Sequence, residues 1–291
     1  MEKIICPICK SIEIKLAFKK GSYDLYSCVH CQLLFVWPTP RDLKNIYSSE
    51  YFNNQGVKHN FGYVSYDQDK LAMAETFEKY LDKIERSVSG RNIFDVGAAT
   101  GYFLDLAKAR GWQTFGVDIS DYAAQEASQR GHQVVAAADI SNLGLGDKFS
   151  AVTMWDVMEH LPNPVAYLSQ LNRIMETGAV LAANTINKSS WWAKLLGRRW
   201  HAIIPPEHLF FYSSQSLNKL FSRTGFEVLE IKVIGKKFSL AYVFNILHHW
   251  LKFGFFEKLA IHFNRGFFRK LSLYINLRDN IFIMAKKVKN V

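Results

Sequence analysis

The sequence predicts an α/β fold: a mostly parallel sheet wrapped by helices, with a small cysteine-stapled module at its N-terminus. Three observations predict it. Short apolar runs alternate with helix-period segments from residue 91 to about 235, the pattern of repeated strand–helix units. A strand–glycine turn–helix unit opens that region at Asn92–Leu104. All four cysteines fall in the first 31 residues, as two Cys-x-x-Cys pairs.

Length and composition agree. A chain of 291 residues buries a full α/β core with room for one appended module. Its 49% apolar and 21% charged content is that of a folded chain, not a disordered one. No basic n-region followed by an apolar stretch opens the sequence, and no spanning-length apolar run interrupts it, so a cytoplasmic location is expected. The net charge of +10 is lopsided: residues 236–291 hold eleven Lys/Arg against Glu257 and Asp279. That end is expected either to meet something anionic or to be a solvated basic face.

The first element is the pair of knuckles Cys6-Pro7-Ile8-Cys9 and Cys28-Val29-His30-Cys31, eighteen residues apart. Each offers two thiolates from a tight turn, and together they close a tetrahedron, so residues 1–40 are expected to form a zinc ribbon. Four protein ligands leave no open position, which makes the zinc structural. His30, inside the second knuckle, is the alternative ligand, and two disulfides are the alternative in an oxidising compartment. Residues 41–90 read as a connector followed by a helix from Tyr66 to Ser87, with Leu71, Ala74, Phe77, Leu81 and Ile84 on one face.

The core is expected over residues 91–235. Ile93, Phe94 and Val96 form a buried strand, Gly97 to Gly101 a turn, and Tyr102 to Arg110 a helix stopped by Gly111. A second strand, Gln113–Val117, ends in Asp118, an acid placed to accept hydrogen bonds from ribose hydroxyls. The turn reads Asp95-Val96-Gly97-Ala98-Ala99-Thr100-Gly101, with Ala99 where a pyrophosphate-binding loop needs its central glycine. Phe149–Asp156, Gly178–Asn184 and Phe226–Ile234 read as further strands, and Val165–Met175 and Gln215–Arg223 as helices.

That turn resembles the first motif of the class I S-adenosylmethionine (SAM)-dependent methyltransferases. The resemblance implies a seven-stranded, Rossmann-like methyltransferase core that binds SAM and releases S-adenosyl-L-homocysteine. It assigns cofactor contacts to Asp95, Gly97, Ala98, Ala99, Thr100, Gly101, Tyr102, Asp118, Ile119, Asp139, Ile140 and Trp155. Taken singly, Asp118 or Asp139 also suits a helix cap or turn; His160, after Val157-Met158-Glu159, also suits a structural hydrogen bond at the sheet edge.

The substrate loops, 186–213, hold Trp191, Trp192 and Trp200 and then Pro205-Pro206-Glu207-His208-Leu209-Phe210-Phe211-Tyr212-Ser213. With the zinc ribbon and a Gly225-Phe226 strand, this is similar to the nucleotide-sugar C-methyltransferases and the zinc-ribbon methyltransferases of cell-surface polysaccharide synthesis. The resemblance implies active-site roles for Glu207 and His208, and His160 is the further acid–base candidate. Two departures keep C-methylation of a keto-sugar from being carried over: Pro205 stands where those enzymes have a tyrosine, and only 56 residues follow Gly235 where they carry a further domain of substantial size.

Residues 236–279 hold eleven aromatics, and Phe256, Leu259 or Ala260, Phe263, Phe267, Leu271 and Ile275 fall at helical spacing. A basic, aromatic helical insertion is expected, lying on a membrane surface, capping the core, or joining a homodimer. Asn280–Ala285 suits the last core strand, with the tail running to 291. The expected activity is methyl transfer from SAM to an oxygen or carbon of a small molecule or glycan precursor, sugar or lipid-linked. The competing readings are an RNA methyltransferase gripping phosphate through the ribbon and basic end, and a silent SAM-binding protein. Against the RNA reading, no Asn/Asp-Pro-Pro-Tyr motif occurs and all four cysteines are committed to metal.

Overall fold

The computed structural model describes residues 3–40, 73–145, 149–264, 268 and 271–291, without the side chains of 249–251. The expected connector, the first turns of the expected helix at 66–72, and Phe267 lie outside these residues.

Two sheets organise the chain. The small one is β1 (Ile14–Lys20), β2 (Tyr23–Cys28), β3 (Leu34–Trp37) and β9 (Phe210–Phe211), in that order. The large one contains β4 (Asn92–Val96), β5 (Gln113–Asp118), β6 (Gln133–Ala136), β7 (Phe149–Trp155), β8 (Met175–Ile186), β10 (Phe226–Ser239) and β11 (Ser272–Lys287). Its order is β10-β11-β8-β7-β4-β5-β6, with β11 antiparallel to both neighbours. This is the expected seven-stranded Rossmann-like sheet.

Helices cover it: α1 (Ala74–Glu85), α2 (Tyr102–Ala109), α3 (Asp121–Gln129), α4 (Pro164–Ile174), α5 (Trp191–Leu196) and α6 (Ser214–Arg223). Their starts are legible locally. Ser120 and Asn163 accept from the third residue on, Pro164 follows Asn163, and Ser213 forms a reciprocal box with Ser216. Helix α1 buries Phe77, Tyr80, Leu81 and Ile84, each stabilising by roughly 1.5–3 kcal/mol. Tyr80 stacks between Trp155 and Phe282, fixing α1 across the sheet.

Strand β7 is buried along its whole length because it is central and covered on both faces. The chain leaves β4 toward β5 and β6, then returns to place β7 on β4's other side. Such a switch point opens a crevice at the carboxyl ends of β4 and β7, where ligands of this architecture bind.

The structure corrects the reading of residues 236–279. Lys236–Ser239 pairs with Ser272–Ile275, so both ends of the segment extend the β10–β11 hairpin. Leu271 and Ile275 therefore do not continue a helix: Ile275 lies in β11. Between them stand two short helices, α7 (Leu240–Leu251) and α8 (Gly254–Phe263), broken at Lys252, whose φ is 58°. The N-terminal ribbon is also less separate than expected, since β9 supplies its fourth strand through Leu34–Phe211 and Phe35–Phe210 pairing.

Candidate active site and metal site

The loop after β4 is shaped by backbone geometry. Gly97 and Gly101 have φ of 70° and 88°, and Ala99 also adopts a left-handed φ of 48°. A Cβ at Gly97 would lie 2.5 Å from Val157 Cγ2, so only glycine lets the loop meet the segment after β7. Asp95, buried at the end of β4, accepts a hydrogen bond from Thr153 Oγ1 at 2.6 Å.

Four of the loop amides, those of Gly97, Ala98, Ala99 and Gly101, are already engaged. Gly97 N and Ala98 N donate to Val117 O, and Gly101 N donates to Ala98 O. Ala99 N donates to Asp118 Oδ2 at 2.8 Å, and Ser120 N to Asp118 Oδ1 at 2.9 Å. A pyrophosphate needs such N–H groups free, so this loop suits a ligand recognised through its hydroxyls and apolar face. Burial raises the Asp118 carboxyl above its ordinary range, and the amides of Ser120, Ala99 and Ile119 oppose that rise.

The remaining expected cofactor contacts divide. Thr100 is buried, and Tyr102 and Ile119 are half-buried beside the loop. Ile140 is buried, whereas Asp139 is exposed and accepts from Ser141 N, a turn bond that lowers its carboxyl's pKa. Trp155 is packed by Tyr80, Phe77 and Phe103, and its Nε1 has no hydrogen-bond partner among the described residues. A narrow cavity lined by Phe77, Asp95, Gly97, Ala98, Tyr102, Phe103 and Trp155 joins these residues to the loop.

Beyond β7 the chain turns sharply. Asp156, at φ 58°, exchanges two hydrogen bonds with Asn184 and accepts one from Lys236 Nζ at 2.5 Å. A 3-10 turn, Met158–His160, follows. His160 Nδ1 donates to the Glu207 carbonyl at 2.8 Å, and His208 Nδ1 donates to the Ala202 carbonyl at 2.8 Å. Carbonyls only accept, so both Nδ1 atoms carry protons, and the His208 ring when neutral keeps its lone pair on Nε2. The rings meet edge to face at 4.7 Å.

Ligand atoms of Glu159, His160 and His208 all lie within 4.8 Å of one another. The Glu207-His208 pair in the sequence predicts the Glu207 side chain here. The structure instead brings in the Glu159 carboxylate, and the Glu207 atom that meets His160 is its main-chain carbonyl. Glu159 is 1% exposed and accepts from Thr185 Oγ1 at 2.7 Å. Burial raises its carboxyl's pKa, while His160 opposes the rise. Burial also pushes the His208 pKa well below 6.5, and His160 adds to that. Leu209 N donating to Glu159 O and Tyr212 OH donating to Met158 O tie the two segments together.

The four cysteines meet as expected. They are free thiols, with Cys6 Sγ 3.5 Å from Cys31 Sγ and Cys9 Sγ 3.5 Å from Cys28 Sγ. All four sulfurs fall within 4.8 Å of one another. Tetrahedral zinc–thiolate bonds of ~2.3 Å put sulfurs about 3.8 Å apart, so the set fits zinc with no open position. A hydrogen bond from Cys31 lowers the Cys6 pKa to about 5 and the same bond raises that of Cys31, while burial raises that of Cys9. His30 is corrected as a ligand: it is exposed and its Nε2 lies 3.2 Å from Glu13. Ser213 Oγ donates to Cys31 O, Gln215 to His30 O and Arg223 to Ile8 O, fastening the knuckles onto α6.

Comparison with known proteins agrees with this geometry. A family model described as a methyltransferase domain matches residues 65–231. The ubiquinone biosynthesis O-methyltransferase of Methylococcus capsulatus is 28% identical over 110 residues, covering 35% of this chain and 46% of that protein. Its Nitrosomonas europaea counterpart is 27% identical over 118 residues, covering 38% and 50%. The chain thus spans about half the length of these curated relatives. Among solved structures, magnesium protoporphyrin IX methyltransferase from Synechocystis, with bound SAH, aligns at TM-score 0.50 and 14% identity, covering 82% of this chain and 93% of that one. An S-adenosylmethionine-dependent methyltransferase from Mesorhizobium loti aligns at 0.50 and 14%, covering 75% and 99%. At such identity these structures share the fold.

Proposed function

Since this chain belongs to the methyltransferase-domain family, whose model matches residues 65–231, we propose that it is an O-methyltransferase for a small hydroxyl-bearing acceptor, a sugar or lipid-linked glycan precursor. That it is a SAM-dependent methyltransferase follows from family and fold; the acceptor and its oxygen are our reading. The observation that carries it is the meeting of His160, His208 and the buried Glu159 carboxylate beside Val157, the residue that faces Gly97.

When bound, SAM supplies a sulfonium-activated methyl group, and the protein's part is to hold donor and nucleophile in line. Asp118 would hold the ribose hydroxyls through its carboxylate oxygens, and the Gly97–Gly101 loop would help to hold the rest of SAM. His208 stays neutral at physiological pH because its pKa is depressed, so Nε2 is free to take the acceptor's hydroxyl proton. The Ala202 carbonyl fixes that tautomer, and Glu159 stabilises the imidazolium that forms. With SAM bound, the acceptor oxygen would take the methyl group as His208 Nε2 took the hydroxyl proton. Names of the curated relatives support oxygen as the acceptor atom, and the zinc-ribbon resemblance supports a glycan precursor. Cys6, Cys9, Cys28 and Cys31 would hold a structural zinc.

The test is labelled methyl transfer to a panel of nucleotide sugars, polyprenyl-linked glycans and phenolic hydroxyls, comparing wild type with His208→Asn. Removing a general base costs roughly 10²- to 10⁴-fold in turnover, and SAM affinity should be unchanged. Full turnover by His208→Asn, or label on carbon or nitrogen, would overturn the reading.

A further inference from the structure

The α7–α8 hairpin is apolar outside as well as inside. Its inner face is knitted by Phe244 against Phe256 and Phe263, with ring centroids 6.4 and 5.2 Å apart. Yet Phe253 and Phe255 are 62% and 65% exposed, and Ile261 and Phe268 are 50% and 43% exposed. At the adjoining tip of β11, Leu273 and Tyr274 are 49% and 58% exposed. No residue of α8 is buried. Scattered exposed apolar residues need no explanation, but a cluster at one extremity marks an interaction surface.

Charge identifies the partner. Residues 240–276 contain Lys252, Lys258, Arg265, Arg269 and Lys270 against one acid, Glu257. Exposed aromatics with exposed Lys252 and Lys258 on the same hairpin, in a segment whose sequence is rich in basic residues, suit the headgroup region of an anionic bilayer, where rings reach the acyl boundary and cations meet lipid phosphates. A symmetric pairing of two copies through this face would instead bring like charges together. The helices are 12 and 10 residues long, about 18 and 15 Å, against the ~30 Å of a bilayer core. No described helix is long and apolar enough to cross a membrane, so the hairpin would lie on it.

Position gives the surface a purpose. Strand β10 runs parallel to β8, and its last residues pass beyond the Asn280–Ile186 pair that ends β8's pairing with β11. The hairpin therefore projects from the carboxyl edge of the sheet, the edge that carries the glycine loop and the histidine pair. Lys236, at the root of the projection, reaches back to Asp156. We propose that α7, α8 and the β10–β11 tip form a docking surface for an anionic lipid bilayer, which turns the mouth of the active-site crevice toward the membrane.

The test is sedimentation of the full-length chain with vesicles of phosphatidylcholine alone, or mixed with one-quarter phosphatidylglycerol, at ~0.1 M salt. Binding is expected on the anionic vesicles and at least ten-fold weaker on neutral ones. Each basic residue near such a surface contributes about a five-fold factor, so Lys252→Gln/Lys258→Gln should weaken binding ~25-fold. Phe253→Ser/Phe255→Ser should weaken it too. Both variants change exposed side chains, and unchanged SAM affinity by calorimetry confirms that each is folded and that the cofactor site is intact. Absence of binding to anionic vesicles, equal binding to both kinds, or a dimer dissolved by Phe253→Ser/Phe255→Ser would overturn the proposal.

Discussion

Gly97→Ala is the sharpest test of the crevice, because it acts on the loop and on the catalytic turn together. At φ 70° an alanine pays the left-handed penalty of about 1 kcal/mol. Its Cβ would also sit 2.5 Å from Val157 Cγ2, an overlap that costs roughly 1–3 kcal/mol when the neighbours must shift. The expected loss is ~2–4 kcal/mol, read by urea unfolding, with weaker SAM affinity because the displaced loop carries Ala98 and Ala99. Val157→Ala removes the clashing methyl, so the double variant should recover the overlap part and keep the φ part. Double-mutant-cycle coupling of at least ~1 kcal/mol is therefore expected. If Gly97→Ala unfolds and binds SAM like wild type, or if Val157→Ala restores nothing, the contact between loop and turn is not what the geometry indicates.

Other outcomes follow from the same site. Asp118→Ala should weaken SAM binding at least ten-fold, measured by calorimetry. Because burial raises the Asp118 pKa, wild-type affinity should begin to fall at a pH above the ordinary aspartate value of 3.8. The folded state holds His208 neutral while the unfolded chain protonates near 6.5, so the unfolded state binds more protons below that pH. This contribution is complete above pH 6.5 and is lost as pH falls below it; the His208→Asn variant should show a flatter urea-midpoint profile between pH 5 and 6.5. Chelation should release one zinc per chain and unravel the ribbon. Since β9 joins the ribbon sheet just beyond His208, turnover should fall sharply while SAM affinity stays within about three-fold, separable by calorimetry and a turnover assay.

Much of this was legible in the sequence because each feature is local. Two Cys-x-x-Cys turns announce a tetrahedral site without knowledge of the fold, and Gly97 and Gly101 announce backbone that other residues adopt at a cost. Asp118 could be placed by counting along one strand–helix–strand unit. Glu159 was not legible as a partner of the histidines, because its burial depends on β8 bringing Thr185 beside it. The one available signal was an acid set among Val157, Met158 and Leu161. Lys236 and Asp156 are eighty positions apart, and only the β10–β11 hairpin joins them. The insertion misled because Phe256 to Ile275 keeps a helical rhythm in the sequence, while long-range pairing of Ile275 with Lys236 makes its end a strand.

Holding a sulfonium nucleoside is the task assigned to the bend from Asp95 to Tyr102, and titration calorimetry with the purified chain tests that most directly. One site per chain for SAM and for S-adenosyl-L-homocysteine, abolished or strongly weakened by Asp118→Ala, is the predicted result. Silence toward both, with clear heat from a nicotinamide or flavin dinucleotide, would contradict it.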